Sequence, residues 1–117
     1  MRQPKALGLI RISGPAAAAV VAKEEQEETL QRLAEAHGAT IYLFIIELDV
    51  PGDLPIEQRK GLQDAIDAVR DGEVSIVLAT EPSRVARSAL ELLLFAEIVE
   101  RAGGVVCCDA HQVLGGQ

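Results

Sequence analysis

Apolar residues fall along this chain in short runs separated by longer charged segments, and that alternation predicts strand and helix in turn. Residues 7–13 read Leu-Gly-Leu-Ile-Arg-Ile-Ser, and Leu7, Leu9, Ile10 and Ile12 in close succession suit a strand buried on both faces of a parallel sheet. Residues 14–21 are small and fit either a loop or the opening turns of a helix. From about Lys23, Gln26, Leu30, Leu33 and Ala34 recur at helical spacing until Gly38 ends the pattern. Residues 40–48, rich in Ile, Leu, Tyr and Phe, predict a second buried strand, and the prolines and glycine of residues 49–55 predict a loop. Leu62, Ile66 and Val69 then share one helical face up to Asp71-Gly72, and residues 75–79 make a third short strand. A helix over residues 88–101 carries Leu90, Leu93, Leu94 and Ile98 on a broad apolar face. It stops at Gly103-Gly104, a fourth strand spans residues 105–108, and residues 111–117 read as a loose polar tail.

Strands joined by helical crossovers build an α/β fold, here three-layered, with a mostly parallel sheet of four to five strands and helices on both faces. With 49% apolar residues, 117 residues make one domain with one real core, and nothing marks a linker, a repeat or a second domain. In such a sheet the C-terminal ends of the parallel strands share one edge, where sites form. Arg11 and Ser13 leave the first strand there, residues 49–59 leave the second, and Ser83, Arg84 and Arg87 leave the third.

Charge and composition narrow the chemistry. Eighteen acidic against eleven basic residues give a net charge of -7, which argues against nucleic-acid binding by bulk electrostatics and leaves only local contacts. Cys107 and Cys108, adjacent in an apolar run, read as reduced core residues of a cytoplasmic protein. The opening residues run straight into a strand, so no signal peptide is expected, and no apolar run is long enough for a membrane span. No carboxylate cluster or Cys/His set predicts a metal, and no Gly-rich loop predicts a nucleotide cofactor. His37 falls at the end of the first long helix and His111 in the tail, so a Ser-His-Asp hydrolase is disfavoured. A phosphoacceptor receiver domain is disfavoured too, because the third strand ends in Ala79-Thr80 without an acceptor aspartate.

An arginine inside a core strand is costly unless paired. Followed two residues on by a hydroxyl, Arg11 reads either as half of an anion site with Ser13 as nucleophile, or as a paired core residue next to a serine that opens the Gly14-Pro15 turn. On these two residues alone the second reading is preferred. Arg59, Arg84 and Arg87 at the same edge shift the balance, because guanidinium forks match phosphate oxygens and stabilise the charge gathered there in a displacement.

The segments Leu-Ile-Arg-Ile-Ser at 9–13, Asp49-x-x-Gly52, Arg59-x-Gly61-Leu62 and Ser83-Arg84-Val85-Ala86-Arg87-Ser88, in that order, resemble the catalytic domain of the serine recombinases, the resolvase and invertase family. The resemblance covers about residues 6–109. It implies site-specific DNA recombination, with Ser13 attacking DNA and becoming joined to the 5′ phosphate, and with Arg11, Arg84 and Arg87 as its catalytic partners. It implies that Arg59 binds phosphate and that Gln26 stands near the substrate, where the family often has a glutamine. The implied partners are DNA, held weakly by this chain alone, and further copies of the chain; no metal, cofactor or membrane is implied. The chain departs from the family at Leu9, usually tyrosine, at Pro51, usually serine, and at Ser83, usually aspartate. The long dimer helix and DNA-binding region that the resemblance implies beyond this domain are absent from the 117 residues. The alternative expectation is a noncatalytic α/β interaction module that keeps the fold and part of the arginine cluster.

Overall fold

The computed structural model describes residues 3–108 and 113–114. β1 (Lys5–Ile12), α1 (Ala16–Ala36), β2 (Thr40–Leu48), α2 (Lys60–Arg70), β3 (Ile76–Ala79), α3 (Ala89–Arg101), β4 (Val105–Cys107) and β5 (Val113–Leu114) follow one another, with single 3-10 turns at Ile56–Gln58 and Pro82–Arg84. The strands stand in the order β2-β1-β3-β4-β5, the first four parallel and β5 antiparallel to β4. This is the three-layered α/β sheet that the alternating pattern predicts.

Alternation along the central strands divides the core in two. Leu7 and Leu9 of β1, Val77 and Ala79 of β3 and Val106 of β4 pack with Leu62, Ile66 and Val69 of α2 and with Phe95, Ala96 and Val99 of α3. Ala6, Ile10 and Ile12, with Ile76, Leu78 and Cys107, face the other way onto Ala19, Leu30 and Ala34 of α1. Arg11 has the parity of Leu7 and Leu9, so its side chain leaves the sheet on the α2 and α3 side, where the second and third motifs lie.

Four sequence expectations change. The undecided residues 14–21 belong mostly to α1, which starts at Ala16 directly after Pro15; a run of alanines needs neither an apolar stripe nor a side-chain cap to be helical. β2 is not a buried strand but the sheet's edge, with Tyr42, Ile46 and Leu48 exposed. On α3 the leucines chosen as its apolar face, Leu90, Leu93 and Leu94, are exposed, while Phe95, Ala96 and Val99 face the core. Apolar residues surround that helix nearly all the way, so periodicity alone could not pick the buried side. Last, Val113–Leu114 of the tail form β5; His111 lies outside the described residues. Among those described, no helix is long and apolar enough to cross a membrane.

Candidate active site

Arg11, next to last in β1, is held from three sides at the C-terminal edge of the sheet. Its Nε donates to the carbonyl of Arg84 at 3.3 Å, its Nη1 to that of Val50 at 3.3 Å, and its Nη2 to that of Ser83. In return Nη1 of Arg84 donates to the carbonyl of Arg11 at 3.2 Å, so β1 and the 3-10 turn after β3 are tied both ways. That turn exists because Pro82 presets its first dihedral, and α3 starts cleanly after it where the Ser88 hydroxyl accepts the Glu91 amide at 3.1 Å. Gly52 closes over Arg11: a Cβ there would lie 2.7 Å from Nη2. The Gly52 carbonyl accepts the Arg87 amide at 3.3 Å, which brings the start of that residue beside the loop after β2.

Ser13 stands just past the end of β1 and is exposed. Asp49 fixes its turn from both sides. The Asp49 amide donates to the carbonyl of Ile12 at 2.8 Å, and its Oδ1 accepts the Gly14 amide at 3.3 Å. Asp49 takes a φ of 56°, a left-handed conformation to which aspartate is better suited than most residues.

Arg59 and Gln26 are buried and bonded within the protein. Arg59, only 1% exposed, donates from Nε to Oε2 of Glu47 at 3.2 Å and from Nη2 to Oε1 of the same carboxylate. Its Nη1 donates to the carbonyl of Val85, and Nη2 reaches that of Arg84 at 3.3 Å. Gly61 makes room for this pair, since a Cβ there would meet Glu47 Cγ at 2.6 Å; this gives the Arg59-x-Gly61 spacing a steric reason. Gln26 is buried and donates from Nε2 to the carbonyl of Arg11 at 3.3 Å, leaving its Oε1 without a partner. Sequence reasoning missed both Glu47 and the role of Asp49. Glu47 is a single acid inside an apolar run, and the partner of the Asp49 carboxylate is 35 residues away.

Three other guanidiniums act on Arg11 at this edge. The Arg11 guanidinium is pushed below its ordinary pKa by burial first, then by Arg59 and Arg84, with Arg87 adding to them and Glu47 opposing. It starts so high that it stays charged at neutral pH. Arg84 keeps an unmet donor: its Nε has no hydrogen-bond partner, and the Glu81 carboxylate, 4.0 Å away, is beyond hydrogen-bond reach. The one buried carboxylate among the described residues, Glu47, is gripped by Arg59 and also acts on Arg11, and the exposed Ser13 follows Arg11 two residues on. A groove of about 540 Å³ runs nearby, past Leu48, Val50, Gln58 and Lys60; Glu47 and Asp49 line it, and Ser13, Arg11, Arg84 and Arg87 do not. Among the described residues, no group of three or more His, Cys, Asp or Glu side chains is placed to hold a metal ion.

A parallel α/β domain with a serine and an arginine cluster at its strand ends defines a class, and the comparisons name it. The model of the resolvase N-terminal domain matches residues 6–113, and the chain belongs to that family. Solved structures agree on the fold. The C-terminal catalytic domain of ISC1926 TnpA, an IS607-like serine recombinase, superposes with a TM-score of 0.73 at 23% identity, covering 88% of this chain and 68% of its own. A resolvase family site-specific recombinase from Streptococcus pneumoniae gives 0.76 at 19% identity, covering 98% and 78%. The N-terminal catalytic domain of TP901-1 integrase gives 0.70 at 19%, covering 87% and 74%. No curated protein sequence matches the chain.

Proposed function

We propose that this chain is a DNA recombinase domain that cuts and rejoins DNA through Ser13. The Ser13 hydroxyl oxygen attacks the scissile phosphorus; the Oγ–P bond forms, the P–O3′ bond breaks, the hydroxyl gives up its proton and the departing O3′ takes one up. The 5′ phosphate stays on Ser13 until another 3′ hydroxyl attacks it and reverses the step. The phosphodiester energy is kept in the serine ester, so the reaction needs no cofactor. Arg11, Arg84 and Arg87 hold the nonbridging oxygens and offset the charge that grows on them. Arg59 and Gln26, whose donors are spent on the carbonyls of Arg84, Val85 and Arg11, keep those cations in place.

The observation that carries this reading is the reciprocal bond between Arg11 and Arg84 at the strand end from which the exposed Ser13 projects. The family match over residues 6–113 favours this reading over a noncatalytic module. Exchange of strands requires several copies at once, and the exposed Leu90, Leu93 and Leu94 of α3 offer an apolar face for such association. A reaction on DNA belongs in the cytoplasm.

The test is covalent-adduct formation. The chain is fused to a DNA-binding domain of known site and incubated with a labelled duplex carrying that site; a denaturation-resistant protein–DNA adduct is expected, with mass spectrometry placing the bond on Ser13. Ser13→Ala abolishes it. An adduct that persists in Ser13→Ala assigns the nucleophile elsewhere.

A further inference from the structure

Glu47 and Arg59 are the only buried charged side chains among the described residues. The carboxylate takes Arg59 in a two-oxygen grip, and the donors of Arg59 that are left run to the carbonyls of Val85 and Arg84. Arg59 is therefore a strut between the end of β2 and the segment that carries Arg84 and Arg87. Its foot is fixed by Glu47, which is itself backed by the first turn of α2 at Gly61. The same carboxylate acts against the burial, and after it the repulsion from Arg59 and Arg84, that lower the Arg11 pKa.

We propose that Glu47 is a positioning residue of the site: gripping Arg59, it sets where Arg84 and Arg87 stand relative to Arg11 and Ser13. The proposal rests on reading the edge as a phosphodiester site. A purely structural ion pair would be replaceable by apolar side chains of similar volume, because such exchanges of buried pairs are often neutral or stabilising. A positioning pair would not.

The double variant Glu47→Met/Arg59→Met separates the two, with Glu47→Gln beside it. Three quantities are read on the full chain: the melting temperature, amide hydrogen exchange at Val85, Ala86 and Arg87, and affinity for a dithymidine phosphodiester followed by the arginine Nε–H signals. The double variant is expected to melt near the wild type, yet to exchange those amides about tenfold faster and to bind the phosphodiester about tenfold more weakly. Wild-type exchange and affinity in a double variant that melts normally would overturn the proposal. If the wild type itself fails to bind the phosphodiester, the reading of the edge as a phosphodiester site fails, and the exchange rates alone decide the strut. Should neither variant fold, the wild type decides: the Arg59 Nε–H must exchange at least about tenfold more slowly than that of the exposed Arg87, and equal rates would dismiss the grip.

Discussion

Gly52 shows how a single missing side chain serves the site. An alanine methyl at this position would lie 2.7 Å from Nη2 and 3.0 Å from Cζ of Arg11. The obstacle is the far end of a flexible side chain, so the guanidinium swings aside and the cost in stability stays near the low end for overpacking, about 1 kcal/mol. What is lost is its hold on the carbonyls of Val50, Ser83 and Arg84. Gly52→Ala should therefore melt within a few degrees of the wild type while adduct yield drops about tenfold or more, since small displacements of a positioned group are expensive for chemistry. Full adduct yield in this variant would show that Arg11 is not set by these contacts. Ser13→Ala separates the same two readouts more sharply: the exposed hydroxyl contributes within roughly 0.5 kcal/mol to stability, so melting is unchanged while the adduct disappears. Residue types at strand ends are legible without a structure, which is why Arg11, Ser13, Arg84 and Arg87 could be singled out. The direction in which Arg59 points is not, because it depends on a carboxylate from another element.

Among the elements, α2 carries a conflict between propensity and packing that decides a prediction. Replacing a helical glycine by alanine ordinarily gains about 1 kcal/mol. At Gly61 the new methyl would meet Glu47 Cγ at 2.6 Å and Cδ at 2.8 Å, and those atoms are held by Arg59 in a buried site. Overpacking of this kind costs roughly 1–3 kcal/mol and disturbs the ion pair as well, so packing wins and Gly61→Ala should lower the melting temperature by several degrees. A rise in melting temperature would mean that the carboxylate yields freely and that the close approach has no consequence. The elements themselves were mostly readable. β2 occupies the expected residues 40–48, and α2, β3, α3 and β4 each lie within a residue or so of their patterns. Their neighbours were not readable. An apolar run such as Ile41 to Ile46 looks the same in the middle of a sheet as at its edge, and strand order, set by the crossovers, decides which of its faces is covered. The leucines of α3 teach the same lesson for a helix whose apolar residues exceed what one face can bury.

At the scale of the molecule the sign of the charge and the purpose of the site oppose each other. The chain carries -7 overall, with Glu24, Glu25, Glu27 and Glu28 clustered on α1, so a duplex is repelled at long range and electrostatic steering is unfavourable. Locally the arginines attract phosphate, but not all are available. Arg59 is spent on Glu47, which leaves Arg11, Arg84 and Arg87, and Arg11 already divides its donors among three carbonyls. Each phosphate neutralised contributes about 0.9 to the salt slope of log affinity, so contacts from three arginines give a slope of magnitude about 3 at most. Affinity this electrostatically thin falls within or below the ordinary nonspecific range at physiological salt, roughly 10⁻⁴–10⁻⁶ M. The isolated chain is therefore expected to bind duplex DNA weakly and without sequence preference, and fusion to a DNA-binding domain should restore tight binding without steepening the arginine-dependent part of the slope. Fluorescence anisotropy of a labelled duplex over a salt series checks this directly. Arg87→Ala, which removes an exposed cation at the site, should reduce the magnitude of the slope by about 1. A slope of about 6 or steeper for the unmodified chain would require more phosphate contacts than these arginines can make, and would place the DNA on a different surface of the molecule.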